Sequence, residues 1–203
     1  MKRYAFLLLG MSLVFALAVT AGAAQKAQPR IQLTSSSYNP KVSGKVADLK
    51  GRTIILWAFN NNAKDTRRYE YYNSAQDITY ETPEELLPDY LWYGMRKYLW
   101  AAGMKVFQAP SPAGTWSATI PSQIPPDAPT FGINFTSWTD MGFVCEATIT
   151  KPGRPPVQKA FIIAFDAPSL TDPKSLETRA YESLDKIIET IFADPVIKDV
   201  LTK

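Results

Sequence analysis

The chain reads as an α+β domain, a single mixed β-sheet of about four to five strands with two main helices packed on one face. Three observations lead there. Two stretches, 82–103 and 171–194, repeat apolar residues at helical spacing between start and stop signals. Three others, 130–138, 143–151 and 158–165, alternate or run apolar between turn residues, as in an antiparallel meander. A strand-like run, Arg52–Phe59, precedes the first helix, and a short one, Met104–Gln108, follows it.

The first helical stretch, TPEELLPDYLWYGMRKYLWAAG, organises the rest. Thr82 and Glu85 have the spacing of a capping box, and Pro83 suits the first helical position. Pro88 interrupts, which predicts either a kink or a short first turn with the main helix starting from that proline. Gly103 can take the left-handed conformation that closes a helix. Leu87, Leu91, Gly94, Met95, Tyr98 and Ala102 share the face expected toward the core, with Gly94 allowing close approach to a sheet. Tyr93 and Trp100 fall together on the opposite side, flanked by Leu86 and Arg96, while Trp92 and Leu99 form a shoulder. Two readings follow. These aromatics either lie over loops of the same domain, or Trp92, Tyr93, Arg96 and Trp100 form a partner-binding face, since Trp, Tyr and Arg are enriched at interface hot spots.

Met1-Lys2-Arg3, the apolar run Tyr4–Ala21 and Ala21-Gly22-Ala23 have the layout of a secretory signal peptide over residues 1–23. The run is also long enough for an uncleaved membrane anchor. No Cys stands near the cleavage site, so the bacterial lipid-attachment signal is absent. The expectation is export to the periplasm and a soluble mature chain, with membrane anchoring by an uncleaved signal as the alternative. Loss of Lys2 and Arg3 takes the formal charge from +3 to +1, which offers no electrostatic footprint for nucleic acid.

Beyond the signal, residues 24–50 are polar and without periodicity, and are expected as a flexible arm, with Ile31–Leu33 available as a short edge strand. One α+β domain then covers residues 51–203. The continuous run Arg52–Phe59 suggests a strand buried on both faces. Arg67–Tyr72 is either a second short strand or an extended lead-in to the helix. Residues 109–129 carry six prolines and form a long loop, with a brief strand around 115–120 conceivable. Thr171-Asp172-Pro173 starts the second helix, whose stripe is Leu176, Ala180, Leu184, Ile187, Ile188 and Ile191, with Glu177, Glu182, Asp185 and Lys186 away from it. Asp194-Pro195 ends it, and Val196–Leu201 is a terminal amphipathic turn or helix.

Chemistry is sparsely represented. The sequence has no His, which removes His-based triads, Cys–His dyads and His-containing zinc sites together. Cys145 is the only cysteine, so no intramolecular disulfide forms, and its apolar neighbours mark it as a small core residue. No phosphate-binding glycine loop is present, and no catalytic, cofactor or metal residue stands out. Asn134-Phe135-Thr136 matches a glycosylation pattern but falls inside a predicted strand. The chain is therefore read as a non-enzyme.

At Tyr71-Tyr72, at Thr82-Pro83-Glu84-Glu85-Leu86-Leu87-Pro88-Asp89-Tyr90-Leu91, and at Gly103 and Val106, the chain resembles the ABC-type transport auxiliary lipoprotein family. The layout of the meander and second helix is similar too, so the resemblance covers residues 50–192. Two departures stand against it: the lipid-attachment Cys is missing, and Ile78-Thr79-Tyr80 replaces a Trp that the family carries before the helix. What the family implies is a non-enzymatic accessory part in lipid traffic across the bacterial envelope, beside an ABC transporter.

Two functions from different classes follow. The first is an interaction module of an envelope transport or assembly complex, binding a membrane-associated protein partner. The second is a periplasmic protein holding an apolar ligand or lipid between helices and sheet. A filled core with exposed Trp100 and Tyr93 favours the first, and a large enclosed apolar pocket the second.

Overall fold

A computed structural model describes residues 30–63, 68–73, 76–108, 124–166 and 172–203. The expected signal segment and the loop stretch 109–123 lie outside these residues. Among the described residues, eight strands and three α-helices run in the order β1 (Arg30–Gln32), β2 (Thr53–Asn61), β3 (Arg68–Asn73), β4 (Gln76–Glu81), α1 (Leu87–Ala101), β5 (Lys105–Gln108), β6 (Thr130–Thr139), β7 (Gly142–Thr150), β8 (Val157–Ala164), α2 (Pro173–Phe192) and α3 (Pro195–Thr202), with a 3-10 helix at Gly44–Leu49 before β2.

The main sheet has the order β5-β2-β6-β7-β8. β2 runs parallel to both β5 and β6, whereas β6, β7 and β8 form the antiparallel meander the alternation predicts. Helices cover one face. Phe131, Phe135, Phe143, Ala147 and Ile149 point into a single core with Leu91, Tyr98, Leu184, Ile188 and Phe192, and the Phe131 and Phe192 rings meet at 4.9 Å. The α+β class and the placement of both main helices hold.

The expected single sheet does not. β1, β4 and β3 form a second, three-stranded sheet in which β3 and β4 are a hairpin and β1 joins β4 in parallel. Gln76–Glu81 mixes polar residues with Ile78 and Tyr80 and shows no alternation long enough to signal a strand.

The expected flexible arm is also corrected, because from Arg30 onward it is part of the packed domain. Ile31, Leu33, Tyr38, Val46 and Leu49 are all buried. They are spaced too irregularly to read as helix or strand, since they belong to a strap held by side chains of the helices. Lys97 donates to the carbonyls of Ser35, Ser36 and Tyr38. Tyr98 accepts from the Ser43 amide, and Asp185 accepts from the Tyr38 hydroxyl and the Lys41 amide. Asp185, expected on the solvent side of the second helix, is therefore buried under the strap.

The same strap explains why the capping box does not form. Glu85 accepts from the Ser35 amide at 2.5 Å and from the Ser35 hydroxyl at 2.9 Å, so its carboxylate points away from Thr82. The helix instead begins at Leu87 with Leu86 as its cap and Pro88 in the first turn, where a missing N–H costs nothing. Gly103, with φ of +82°, closes it as expected. Gly94 faces α2, not a sheet: a Cβ there would stand 2.6 Å from Leu184 Cδ2. α2 is capped by Asp172, which accepts from the Ser175 amide, and α3 by Asp194.

β2 departs from the prediction of burial on both faces. Ile54, Ile55, Leu56 and Phe59 are buried, but Trp57 is not. Ile55 is covered on the far face by Ile124 and Ala128, the described residues that pack on it there.

Candidate functional site

α1 places the four predicted contact residues within about two turns of each other. The structure separates them into two groups. Tyr93 and Trp100 keep 40% and 48% of their surface in solvent, and Leu86 is exposed beside the helix start. Trp92 is only 1% exposed. It belongs to the core cluster and cannot touch a partner, which corrects its inclusion in the binding face. The reason is angular. Trp92 lies one step from Leu91 and one turn from Met95, so its large ring reaches the core edge while Tyr93, the next residue, swings outward.

Arg96 joins the two groups. Its Cζ lies 4.0 Å from the Trp100 ring centroid and 5.8 Å from that of Trp92. The Trp92 and Tyr93 rings meet edge to face at 5.0 Å. Such cation–π contacts contribute roughly 0.5–1 kcal/mol at exposed sites and hold a planar guanidinium against an indole. The result is a pre-ordered patch of Tyr93, Arg96 and Trp100, backed by buried Trp92. Ordering of this kind lowers the entropic cost of docking, so the patch is suited to recognition of a surface.

Acid–base chemistry finds little here. Burial pushes the Cys145 thiol up to about 12, which leaves it protonated at neutral pH. Burial likewise raises the carboxyls of Asp140 and Asp185 and the phenols of Tyr38 and Tyr90. Asp185 and Tyr38 serve each other under the strap. Among the described residues, no group of three Cys, Asp or Glu side chains could hold a metal ion, and no helix is long and apolar enough to cross a membrane.

A second surface was not visible in the sequence. On the open face of the main sheet, Trp57, Asn134, Glu146, Thr148 and Gln158 line a depression of about 570 Å³. The signal that could have found it is Trp57, a large polar-edged aromatic in an otherwise aliphatic run.

The molecule is thus an α+β domain with helices on one sheet face, an aromatic patch on the first helix and a depression at Trp57 on the opposite face. No family model matches the chain, and no curated protein matches it. Among solved structures it is similar to protein XCC0632 from Xanthomonas campestris, assigned to the DUF330 family model. The TM-score is 0.52 at 11% identity, over 81% of this chain and 92% of that one. At that identity the likeness is one of fold, and the transport auxiliary lipoprotein family is not itself matched.

Proposed function

We propose that the chain is a non-enzymatic accessory module of a cell-envelope transport or assembly system, docking a membrane-associated protein through the exposed surface of α1. The observation that carries this reading is the stacked pair Arg96–Trp100 with Tyr93 beside it, solvent-exposed on a helix whose other side is locked into the core. Export rests on the charged start, the apolar run and Ala21-Gly22-Ala23. A place in lipid traffic beside an ABC transporter rests on the sequence resemblance.

The alternative, a lipid held between helices and sheet, has less support. Leu184 packs into the space above Gly94, and Phe131, Phe135, Phe143 and Phe192 fill the layer between. The depression at Trp57 lies on the other side of the sheet, not between helices and sheet.

Photo-crosslinking in cells tests the docking surface. A crosslinking residue at position 93 or 100 should trap an envelope protein, whereas one at Val196, also exposed, should not. No adduct from either α1 position would refute the docking role. Intact mass of the exported chain tests processing, with a mature start near Ala24 expected; a full-length membrane-bound product would make the segment an anchor.

A further inference from the structure

β8 ends the main sheet, and its outer edge is bare. The Phe165 amide donates to the Met141 carbonyl, and the register continues through Phe143↔Ile163 and Cys145↔Phe161, so the odd-numbered residues of β8 bond to β7. Gln158, Ala160, Ile162 and Ala164 therefore aim their N–H and C=O groups away from the sheet. None of these four has a further partner among the described residues. Their side chains are exposed on the face opposite the helices. Ile162 keeps 85% of its surface in solvent, the most of any large apolar residue described.

Sheets ordinarily blunt such an edge with a short strand, a bulge, a proline or a charge. β5, at the opposite edge, is only four residues long. β8 has eight residues, runs against β7 without a register shift and holds no proline. Its one charge, Lys159, sits on the helical face and is engaged by Asp194 at 2.5 Å. A regular, unguarded edge with an exposed isoleucine is fit for pairing with another strand.

The sequence of β8 selects the occupant. We propose that β8 pairs antiparallel with β8 of a second copy of this chain, about a two-fold axis at Phe161, joining the two five-stranded sheets into one. In that register Ala160 lies opposite Ile162 of the second copy and Gln158 opposite its Ala164, and the symmetry repeats both pairs. All four bare residues then stand in hydrogen-bonded pairs, each pair exchanging two bonds. Sliding one strand by two residues in either direction leaves one of them without a partner. The large Ile162 side chain meets the small Ala160, which leaves room for it on the sheet face. Lys159 falls opposite Ile163, so the two lysines do not face each other. A foreign strand could satisfy the same N–H and C=O groups, but β8 meets every one of these conditions with its own sequence. α1 packs over β2 and β5, toward the other edge, so pairing at β8 and docking at α1 are independent.

Sedimentation velocity of the purified chain, from micromolar to millimolar, should show a reversible monomer–dimer equilibrium. Ala160→Pro deletes an N–H that points away from β7, so the sheet's own ladder keeps its bonds while the edge is blocked. The dissociation constant should rise by about tenfold or more, since the symmetry removes the bond twice. If the proline variant does not fold, Ile162→Lys on the exposed face takes its place and should weaken the dimer likewise. The register is read by disulfides. Residues in a hydrogen-bonded pair have Cα atoms about 5.5 Å apart, within disulfide reach. Ala160→Cys chains mixed with Ile162→Cys chains should therefore crosslink on oxidation, and far more than either variant alone, while Cys145 stays buried. A chain that is monomeric throughout overturns the proposal, as does a dimer undiminished by the edge variants or untrapped in the mixture. A photo-crosslink from position 162 to a different protein, with the chain itself monomeric, would make the edge a site for a foreign strand and equally overturn it.

Discussion

Tyr38 donates its hydroxyl to Asp185 Oδ1 at 2.5 Å, joining residues 147 positions apart. The bond fastens the N-terminal strap to the middle of α2. Burial raises the Asp185 carboxyl, and the hydrogen bonds from Tyr38 and the Lys41 amide partly offset that rise. The strap is thus a structural member whose removal would uncover both helices.

Tyr38→Phe keeps the ring and its contact with Tyr181 but leaves a buried carboxylate short of one donor. A destabilisation of about 1–3 kcal/mol is expected in urea unfolding at neutral pH. An unchanged midpoint would mean that water replaces the hydroxyl and that the strap is not anchored there.

Gly94 and Leu184 should behave as a coupled pair. Leu184→Ala truncates a fully buried side chain on the α2 stripe, at a cost of about 2–5 kcal/mol. Gly94→Ala sets a methyl group 2.6 Å from Leu184 Cδ2 and should cost about 1–3 kcal/mol through overpacking, despite the better helix propensity of Ala. In the double variant the new methyl enters the cavity left by Leu184, so the combined loss should fall short of the sum by 0.5 kcal/mol or more, as roughly expected for residues in contact. Strict additivity would show that the two helices do not meet here.

Asp140 in the β6–β7 turn is fully buried, and the Arg179 guanidinium donates to its backbone carbonyl at 3.4 Å. Burial pushes its carboxyl up, against the smaller opposing pull of the turn's own amides and of Arg179. A carboxyl raised in the folded chain keeps its proton where the unfolded chain has lost it. Its contribution therefore favours folding as pH falls through that window and opposes it above. Asp140→Asn removes the charge, so the variant should melt higher than the parent at about pH 7, with the gap closing toward about pH 4. A gap independent of pH would place the carboxylate in solvent, and a parent that gains on the variant as pH rises would place it in an ion pair.

Much of this architecture is legible in the chain because hydrophobic period survives tertiary packing. The meander, both main helices, the Gly103 stop and the Leu176–Ile191 stripe follow from spacing alone. Three features do not. The strap buries Leu33, Tyr38 and Leu49 at irregular intervals, because its contacts come from Lys97, Tyr98 and Asp185 far along the sequence. Glu85 satisfies local capping rules yet bonds to Ser35, since a long-range partner supplied two donors at once. Trp92 is within one position of Tyr93, and a helical projection does not fix whether a ring at the margin turns inward. The exposure of Tyr93 and Trp100 was legible in the helical projection and the burial of Trp92 was not, while the depression at Trp57 depends on a register slip between Leu56 and Phe59 that no local pattern announces.

The remaining prediction bears on the docking surface. Trp100→Ala and Tyr93→Ala remove exposed rings from a helix held by Leu91, Met95 and Tyr98, all fully buried, so each should change thermal stability little. Trp100→Ala also dissolves the stacking with Arg96, at about 0.5–1 kcal/mol. Binding should respond far more strongly. A central interface aromatic contributes about 2 kcal/mol or more, close to a thirtyfold change in affinity. Trp92→Ala is the contrasting variant: it opens a cavity under the same helix and should cost about 3–5 kcal/mol of stability. The comparison separates surface from core within one turn. If Trp100→Ala and Tyr93→Ala unfold the chain as Trp92→Ala does, these rings are structural and the patch has no role in docking. If they leave both stability and partner capture unchanged, the outer face of α1 is ordinary surface, and the partner must be sought elsewhere on the molecule.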